Sequence, residues 1–333
     1  MKTAFVTGAA GFVGANVVRD LLAHGWRVRV LLRTADPPGL TGLDVERVAG
    51  DLFAADLAAT MRGCDAVFHV AALYSLWRRD RADVVRTNVE GTRSILRAAR
   101  EAGVPRVVHT SSVAAIGVRA AGPADETYQS PYAKLVGAYK KSKFLGEQVA
   151  HAAAAAGQDV VIVNPSTPVG PWDVKPTPTG EIVVRFARGA MPAYVDTGLN
   201  LIDVRDCAAG HRLAYERGRR GERYILGNEN MGLREILRRL AEITGRSVPR
   251  LRLPVAVPLA YAAIGEYILA PLGRAPDVSL ESVRMAKGQM YYDARKAVRD
   301  LGLPQSDVTA ALADAVQWFS ERGYLDSPRK DHR

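Results

Sequence analysis

Tyr139, Lys140, Lys141, Ser142 and Lys143 open a stretch of helical pattern, and a spacing of four puts the phenol of Tyr139 and the ammonium of Lys143 on one helix face. An ammonium beside a phenol stabilises the phenolate, so the tyrosine pKa is expected below its ordinary value of about 10. Such a phenol can exchange a proton with a carbinol or carbonyl oxygen near neutral pH. Upstream, an apolar run ends in Thr110-Ser111-Ser112, which would supply a hydroxyl to orient the same oxygen. A tyrosine–lysine pair is common on helices and is unspecific alone. It gains weight from following a sheet-edge serine in a chain that begins with a glycine fingerprint.

That fingerprint is Thr7-Gly8-Ala9-Ala10-Gly11-Phe12-Val13-Gly14, set between an apolar run and a helical pattern. Gly8, Gly11 and Gly14 let the backbone turn tightly and approach a pyrophosphate, which would lie over the helix N-terminus with Phe12 and Val13. An NAD-preferring site carries an acidic residue about 20 positions beyond the glycines. Here Leu32, Arg33 and Thr34 fill that window, and Asp36 arrives late. A carboxylate would repel a 2′-phosphate and Arg33 could pair with one, so the charge logic favours NADP(H) over NAD(H). The alternative is that Arg33 is a solvated loop charge and Asp36 does the binding. Asp51, next to Leu52, could accept from the adenine amino group, with helix capping as its rival. Ala71 and Ala72 leave room for the cofactor, and nicotinamide would lie near Pro165 and Ser166.

These groups need rigid elements to hold them. Apolar runs at Thr3–Thr7, Val28–Leu32, Val45–Ala49, Ala66–Val70, Val107–Ser111 and Val160–Asn164 read as strands. Helical patterns lie between them, notably Phe12–Ala23, Asp83–Ala102 and Tyr139–Ala156. Continuous apolar strands separated by helices predict an α/β fold with a doubly wound, Rossmann-like parallel sheet. After Asn164 the prolines Pro165, Pro168, Pro171, Pro176 and Pro178 mark a loop-rich crossing. Beyond it, helices are predicted near Leu233–Thr244 and Ala310–Arg322. The expected organisation is a dinucleotide-binding domain over 1–165 and a smaller, mostly helical substrate lobe over 166–333. A segment at about 200–227 returns to the first domain.

Composition is that of a globular protein, with 48% apolar and 24% charged residues in a chain of 333. Cys64 and Cys207 read as core thiols of a reducing compartment, and the scattered histidines predict no metal site. The first strand begins so close to Met1 that no signal peptide is expected. The net charge of +10 suits anionic company, a cofactor phosphate or an anionic lipid surface, or is simply an arginine-rich surface. No arginine cluster with interleaved aromatics suggests nucleic acid. The apolar stretch Val255–Gly273 is broken by Pro258, Glu266 and Pro271 and makes a poor spanning helix. A core helix is the leading expectation for it, with a lid or an interfacial membrane contact as alternatives.

Together these residues resemble the extended short-chain dehydrogenase/reductase family, of the NAD-dependent epimerase/dehydratase type, over almost the whole chain. The likeness rests on Gly8, Gly11 and Gly14, Asp51-Leu52, His69-Val70-Ala71-Ala72, Asn88, Ser111-Ser112, Tyr139 to Lys143, and Asn164-Pro165. The resemblance implies that Ser112 is the catalytic hydroxyl, with Ser111 as fallback. It implies that Lys143 also holds the nicotinamide ribose and that Asn88 orders the active-site backbone. It further implies a homodimer built on Asp83–Ala102 and Tyr139–Ala156. Within the family the chain is most similar to hopanoid-associated sugar epimerases, also labelled dihydroflavonol-4-reductase-like. The segments that carry this are Leu73–Trp77, Asn164–Pro171, Lys175–Gly180 and Met191–Asn200. One departure is Asp203-Val204-Arg205-Asp206, where the family usually has His-Val-Asp-Asp.

The triad serves reduction, oxidation and epimerisation alike. Arg33 favours a reductase that releases NADP, whereas an epimerase retains its oxidised cofactor. Val113-Ala114 offers none of the acidic help that follows the catalytic hydroxyl in dehydratase relatives. The stretch 251–258 is largely apolar where sugar-nucleotide members need basic residues. An apolar lobe suits a small-molecule substrate with a greasy part, sugar-like or lipid-linked. Tyr74, Trp77 and Tyr194 are candidates for the substrate mouth, against ordinary packing. A cytoplasmic enzyme is expected, with the inner membrane surface as an alternative site. A non-catalytic dinucleotide sensor is disfavoured because Tyr139 and Lys143 are both present.

Overall fold

The computed structural model describes residues 1–269, 279–285 and 288–326. Six strands come from the first half: β1 (Thr3–Thr7), β2 (Arg27–Leu32), β3 (Glu46–Ala49), β4 (Ala66–His69), β5 (Arg106–Thr110) and β6 (Val160–Pro165). The later strands are β7 (Thr167–Val169), β8 (Ala193–Val195), β9 (Gly198–Asp203), β10 (Arg223–Leu226), β11 (Glu229–Gly232), β12 (Leu251–Leu253) and β13 (Gln289–Met290). A seven-stranded sheet runs in the order β10-β6-β5-β4-β1-β2-β3, with every neighbouring pair parallel. The order reverses between β1 and β4, where an open α/β sheet offers its ligand crevice at the carboxyl ends of the strands.

The helices of the first half are α1 (Phe12–Ala23), α2 (Leu57–Met61), α3 (Arg81–Val85), α4 (Gly91–Glu101), α5 (Val113–Ile116) and α6 (Gly137–Ala155). Those of the second half are α7 (Pro178–Ala187), α8 (Val204–Arg217), α9 (Leu233–Thr244), α10 (Ala256–Ile264), α11 (Leu280–Met285), α12 (Arg295–Leu301) and α13 (Val308–Glu321). Alternation along the strands divides the sheet residues between two cores. Ala4, Val6, Phe68, Val108, Val161 and Val163 face one core, with Val17, Val18 and Leu21 of α1, Cys207, Ala208 and Leu213 of α8, and Ala297 and Leu301 of α12. Phe5, Val67, Val107, Val160 and Ile162 face the other, with Ile95 and Leu96 of α4 and Ala150 and Ala154 of α6. Both sheet faces are covered, as the continuous apolar runs require. The second lobe packs α7, α9 and α13 around a third core that includes Val183, Phe186, Ile236, Leu237, Leu312 and Phe319.

Three expectations need correction. The predicted helix Asp83–Ala102 is α3, a π-helical turn at Arg86–Glu90, and then α4. The wider turn brings Asn88 inward against α6, so closely that a Cβ on Gly146 would meet the Asn88 carbonyl at 2.5 Å. The second lobe also holds a sheet that the sequence does not reveal, with β7, β11 and β13 all pairing with β9. Finally, Val255–Gly273 is not a core helix as far as residue 267, and the side chains of its remainder lie outside the described residues. Along α10 only Ala262 is buried, whereas Val257, Tyr261, Ile264 and then Tyr267 are at least half exposed. Among the described residues no helix is long and apolar enough to cross a membrane.

Three histidines inside the first domain are held neutral. Burial pushes His69 down to about 3 and His211 to about 4, and His109 falls well below the usual range for the same reason. His69 bonds to Thr7 Oγ1 at 2.8 Å and His211 to Thr110 Oγ1 at 3.0 Å. The native state leaves these rings uncharged while the unfolded chain protonates them below about 6.5. Their contribution to stability is therefore present above that pH and lost as pH falls toward the folded pKa values. The slope is about 1.4 kcal/mol per pH unit for each histidine. Urea midpoints should drop steeply from pH 6.5 to pH 4.5; a flat profile would mean that the rings take up protons in the folded state.

Candidate active site

The cofactor cradle is a product of close backbone approach. Gly8 lies at φ +73°, and a Cβ there would sit 2.5 Å from the backbone nitrogen of Ala71, at the carboxyl ends of β1 and β4. A Cβ on Gly14 would reach the Gly8 carbonyl oxygen at 2.1 Å. Both glycines are thus required for packing, whereas Gly11 is exposed and meets only the Gly8 oxygen at 3.3 Å. Gly11 caps α1 without a side-chain bond, so the first N–H groups of that helix, at Phe12 and Val13, remain for an anion. At the other end of the crevice, Ser166 Oγ is buried without a hydrogen-bond partner beside Pro165. A glycine cradle, an open helix N-terminus and an orphaned hydroxyl fit an extended ligand such as a dinucleotide.

Arg33 follows β2 directly and is exposed, with no hydrogen bond or ion pair among the described residues. Asp36, its rival, is exposed and lies 3.8 Å from Arg47. Asp51 closes a turn by accepting from the Phe53 N–H at 2.7 Å, and it caps no helix. Leu52 packs on Gly91 of α4. Ala71 is half-buried and Ala72 exposed at the end of β4.

At the chemical centre, the Tyr139 hydroxyl lies beside Ser112, whose hydroxyl favours the phenolate. Ser112 is extended at φ −167° and caps α5, where its Oγ accepts from the Ala114 N–H at 3.1 Å. Ser111 turns the opposite way, its hydroxyl donating to Glu147 at 2.5 Å, which leaves Ser112 as the hydroxyl beside Tyr139. Lys143 is buried, and its Nζ donates to the Thr110 carbonyl at 2.9 Å. Burial pushes Lys143 down to about 8, opposed by the charge of Glu147. The expected lowering of the phenol pKa is not what the protein alone produces. Burial raises Tyr139 to about 12, and only the hydroxyl of Ser112 opposes it. Lys143 is engaged with Thr110, and the Tyr74 ring covers the phenol at 4.5 Å between centroids.

Asn88 holds the loop that carries Tyr74. Its Oδ1 accepts from the Leu73 N–H at 2.8 Å, and its Nδ2 donates to the Leu73 carbonyl at 3.0 Å and to Ser142 Oγ at 2.9 Å. Both donor hydrogens are thus used inside the protein. Of the three mouth candidates, Tyr74 meets Tyr139 directly. Trp77 is half-buried on the same loop, and Tyr194 packs against the core of the second lobe. The departing residue Arg205 pairs with Asp203 at the start of α8 and reaches Asp314 of α13 at 2.6 Å. Sequence reasoning missed Glu147, Asn164 as a donor, and Arg223. The available signal was Glu147 one turn beyond Lys143.

Comparison with known proteins places this geometry. The profile of the NAD dependent epimerase/dehydratase family matches residues 4–227, which span the sheet from β1 past β10. The chain belongs to the NAD-dependent epimerase/dehydratase family. It is 58% identical to a putative dihydroflavonol 4-reductase of Synechocystis over 96% of this chain and 95% of that one. It is 38% identical to sterol demethylase protein B of Methylococcus capsulatus, over 97% of this chain and 100% of the relative. The crystal structure of gox2253 superposes with a TM-score of 0.86 at 42% identity, covering 98% and 100% of the two chains. As an epimerase/dehydratase family member of the extended short-chain dehydrogenase/reductase type, the chain is an enzyme that works with a nicotinamide dinucleotide.

Proposed function

We propose that this protein is an NADP(H)-dependent reductase acting at a carbonyl or carbinol carbon of a small molecule with an apolar body, sugar-like or lipid-linked. The observation that carries the NADP preference is Arg33, unpaired and exposed at the end of β2 while Asp36 lies toward Arg47. Relatives named as a dihydroflavonol reductase and a sterol demethylase protein support the substrate class, since flavonols and sterols are polycyclic. The exposed apolar residues Val257, Ile264 and Tyr267 near α10 suit a hopanoid-like lipid, or the inner membrane surface that would present one. Pairing of two copies through α4 and α6, where Leu96, Leu145 and Val149 line a groove, is part of the same reading.

A reduced nicotinamide, when bound, supplies the hydride. Tyr139 delivers its phenolic proton to the substrate oxygen, and Ser112 hydrogen-bonds that oxygen and fixes its position. Lys143 as an ammonium offsets the phenolate left behind and turns toward the nicotinamide ribose. Pro165 and Ser166 form the wall where the nicotinamide ring would rest. The alternative reading is an epimerase that oxidises and re-reduces one substrate on a retained cofactor, and it has the family's own description in its favour.

The protein should purify with little bound dinucleotide, take up NADPH reversibly, and oxidise it when a carbonyl compound is added. Dinucleotide released on denaturation and identified by mass spectrometry makes the test. NAD retained through dialysis would establish the epimerase reading instead.

A further inference from the structure

Glu147 has no part in the proton transfer just described, yet it is 1% exposed one helical turn beyond Lys143. A buried carboxylate is costly unless donors surround it. Three other elements supply them: Ser111 Oγ from the end of β5 at 2.5 Å, Asn164 Nδ2 from β6 at 2.6 Å, and Arg223 Nη1 from β10 at 2.7 Å. Asn164 Nδ2 also donates to the Ser112 carbonyl at 3.0 Å. Glu147 therefore grips Ser111 directly and Ser112 through one side chain. Arg223 is itself anchored by the carbonyls of Glu126 and Tyr128 and by Gln129 Oε1.

The same carboxylate acts on Lys143. From its own helix Lys143 is approached by Tyr139, Lys140 and Glu147, with His151 3.8 Å from Glu147 and Glu281 of α11 near Lys140. From β4 and β5 it is approached by His69 and His109, both neutral through burial. Among the described residues the negative charge that acts on Lys143 is thus Glu147, and Arg223 of β10 is paired with it at 2.7 Å. We propose that Glu147 is a positioning residue of the hydride-transfer site: it fixes the strand end bearing Ser112 and keeps Lys143 an ammonium, with Arg223 setting how much of its charge reaches that lysine. This rests on Lys143 serving as the ammonium beside Tyr139.

The test reads the lysine without turnover. The chain has nine lysines, so carbon-13 labelling at Cε resolves them by NMR, and a Lys143→Arg spectrum assigns the signal. Glu147→Gln should lower the titration midpoint of Lys143 by about one pH unit, the scale of a nearby opposite charge. Arg223→Gln breaks the same ion pair from the other side and should raise it. A merely structural role would move both midpoints in one direction or neither, and either result overturns the proposal. If Glu147→Gln does not fold, Arg223→Gln decides alone, and an unchanged or lowered midpoint overturns it. Because no turnover is measured, failure of the Tyr139 assignment would appear in Tyr139→Phe and leave this titration standing.

Discussion

Tyr139→Phe should cut turnover by about two to four orders of magnitude and leave dinucleotide affinity unchanged, the scale of a lost general acid. The substitution removes one oxygen and keeps the ring that packs against Tyr74 at 4.5 Å. Its structural cost is no more than the contact of that oxygen with Ser112, about 1 kcal/mol if a full hydrogen bond is lost. Stability and catalysis are therefore separable here, which is seldom so for a buried group. The phenol, raised to about 12 by burial, is fully protonated at neutral pH and so suits a proton donor in the reducing direction. Stopped-flow absorbance of the reduced nicotinamide gives the hydride-transfer rate, and fluorescence quenching gives the affinity. An unchanged rate would remove Tyr139 from the mechanism. A loss of rate and affinity together would mean that the ring, not the hydroxyl, holds the site.

The parallel sheet was legible because its central strands are buried on both faces, and residues such as Val160, Val161, Ile162 and Val163 must then all be apolar. The helix Phe12–Ala23 was legible to the residue, since Gly11 opens it and Gly25 follows it. The second sheet was not, because its strands are short and β9 pairs with β7, β11 and β13 across distant parts of the chain. Local pattern carries no record of such partners. For α10, apolar composition suggested burial, but burial depends on what packs against a helix, and Ile264 and Val257 meet little. The site divides the same way. Tyr139, Lys143 and the serine pair announce themselves by spacing along one helix and one strand end. That Glu147 takes the Ser111 hydroxyl was not legible, because it is a contact between residues 36 apart in sequence.

Arg33 poses the same kind of question for the cofactor, and here the expected effect is also large. Arg33→Ala should weaken NADPH binding about ten- to a hundredfold, the loss of one charge-assisted bond of about 1.5–3 kcal/mol. NADH binding should stay as it was, because the adenine ribose without a phosphate offers the guanidinium no charge. The exposure of Arg33 sets a further condition. An exposed ion pair is screened by salt, so the NADPH advantage of the native protein should itself shrink as ionic strength rises. Asp36 supplies the control, as the rival candidate of opposite charge. If Asp36 were the reader, Asp36→Asn would weaken NADH and Arg33→Ala would change neither ligand. Isothermal titration of both dinucleotides into both variants separates the cases. The outcome also bears on the proposed reaction, because a preference for NADPH would fit a reductase that exchanges its cofactor at each turnover. A retained cofactor needs no such reader, and finding Arg33 inert would return the weight to an epimerase.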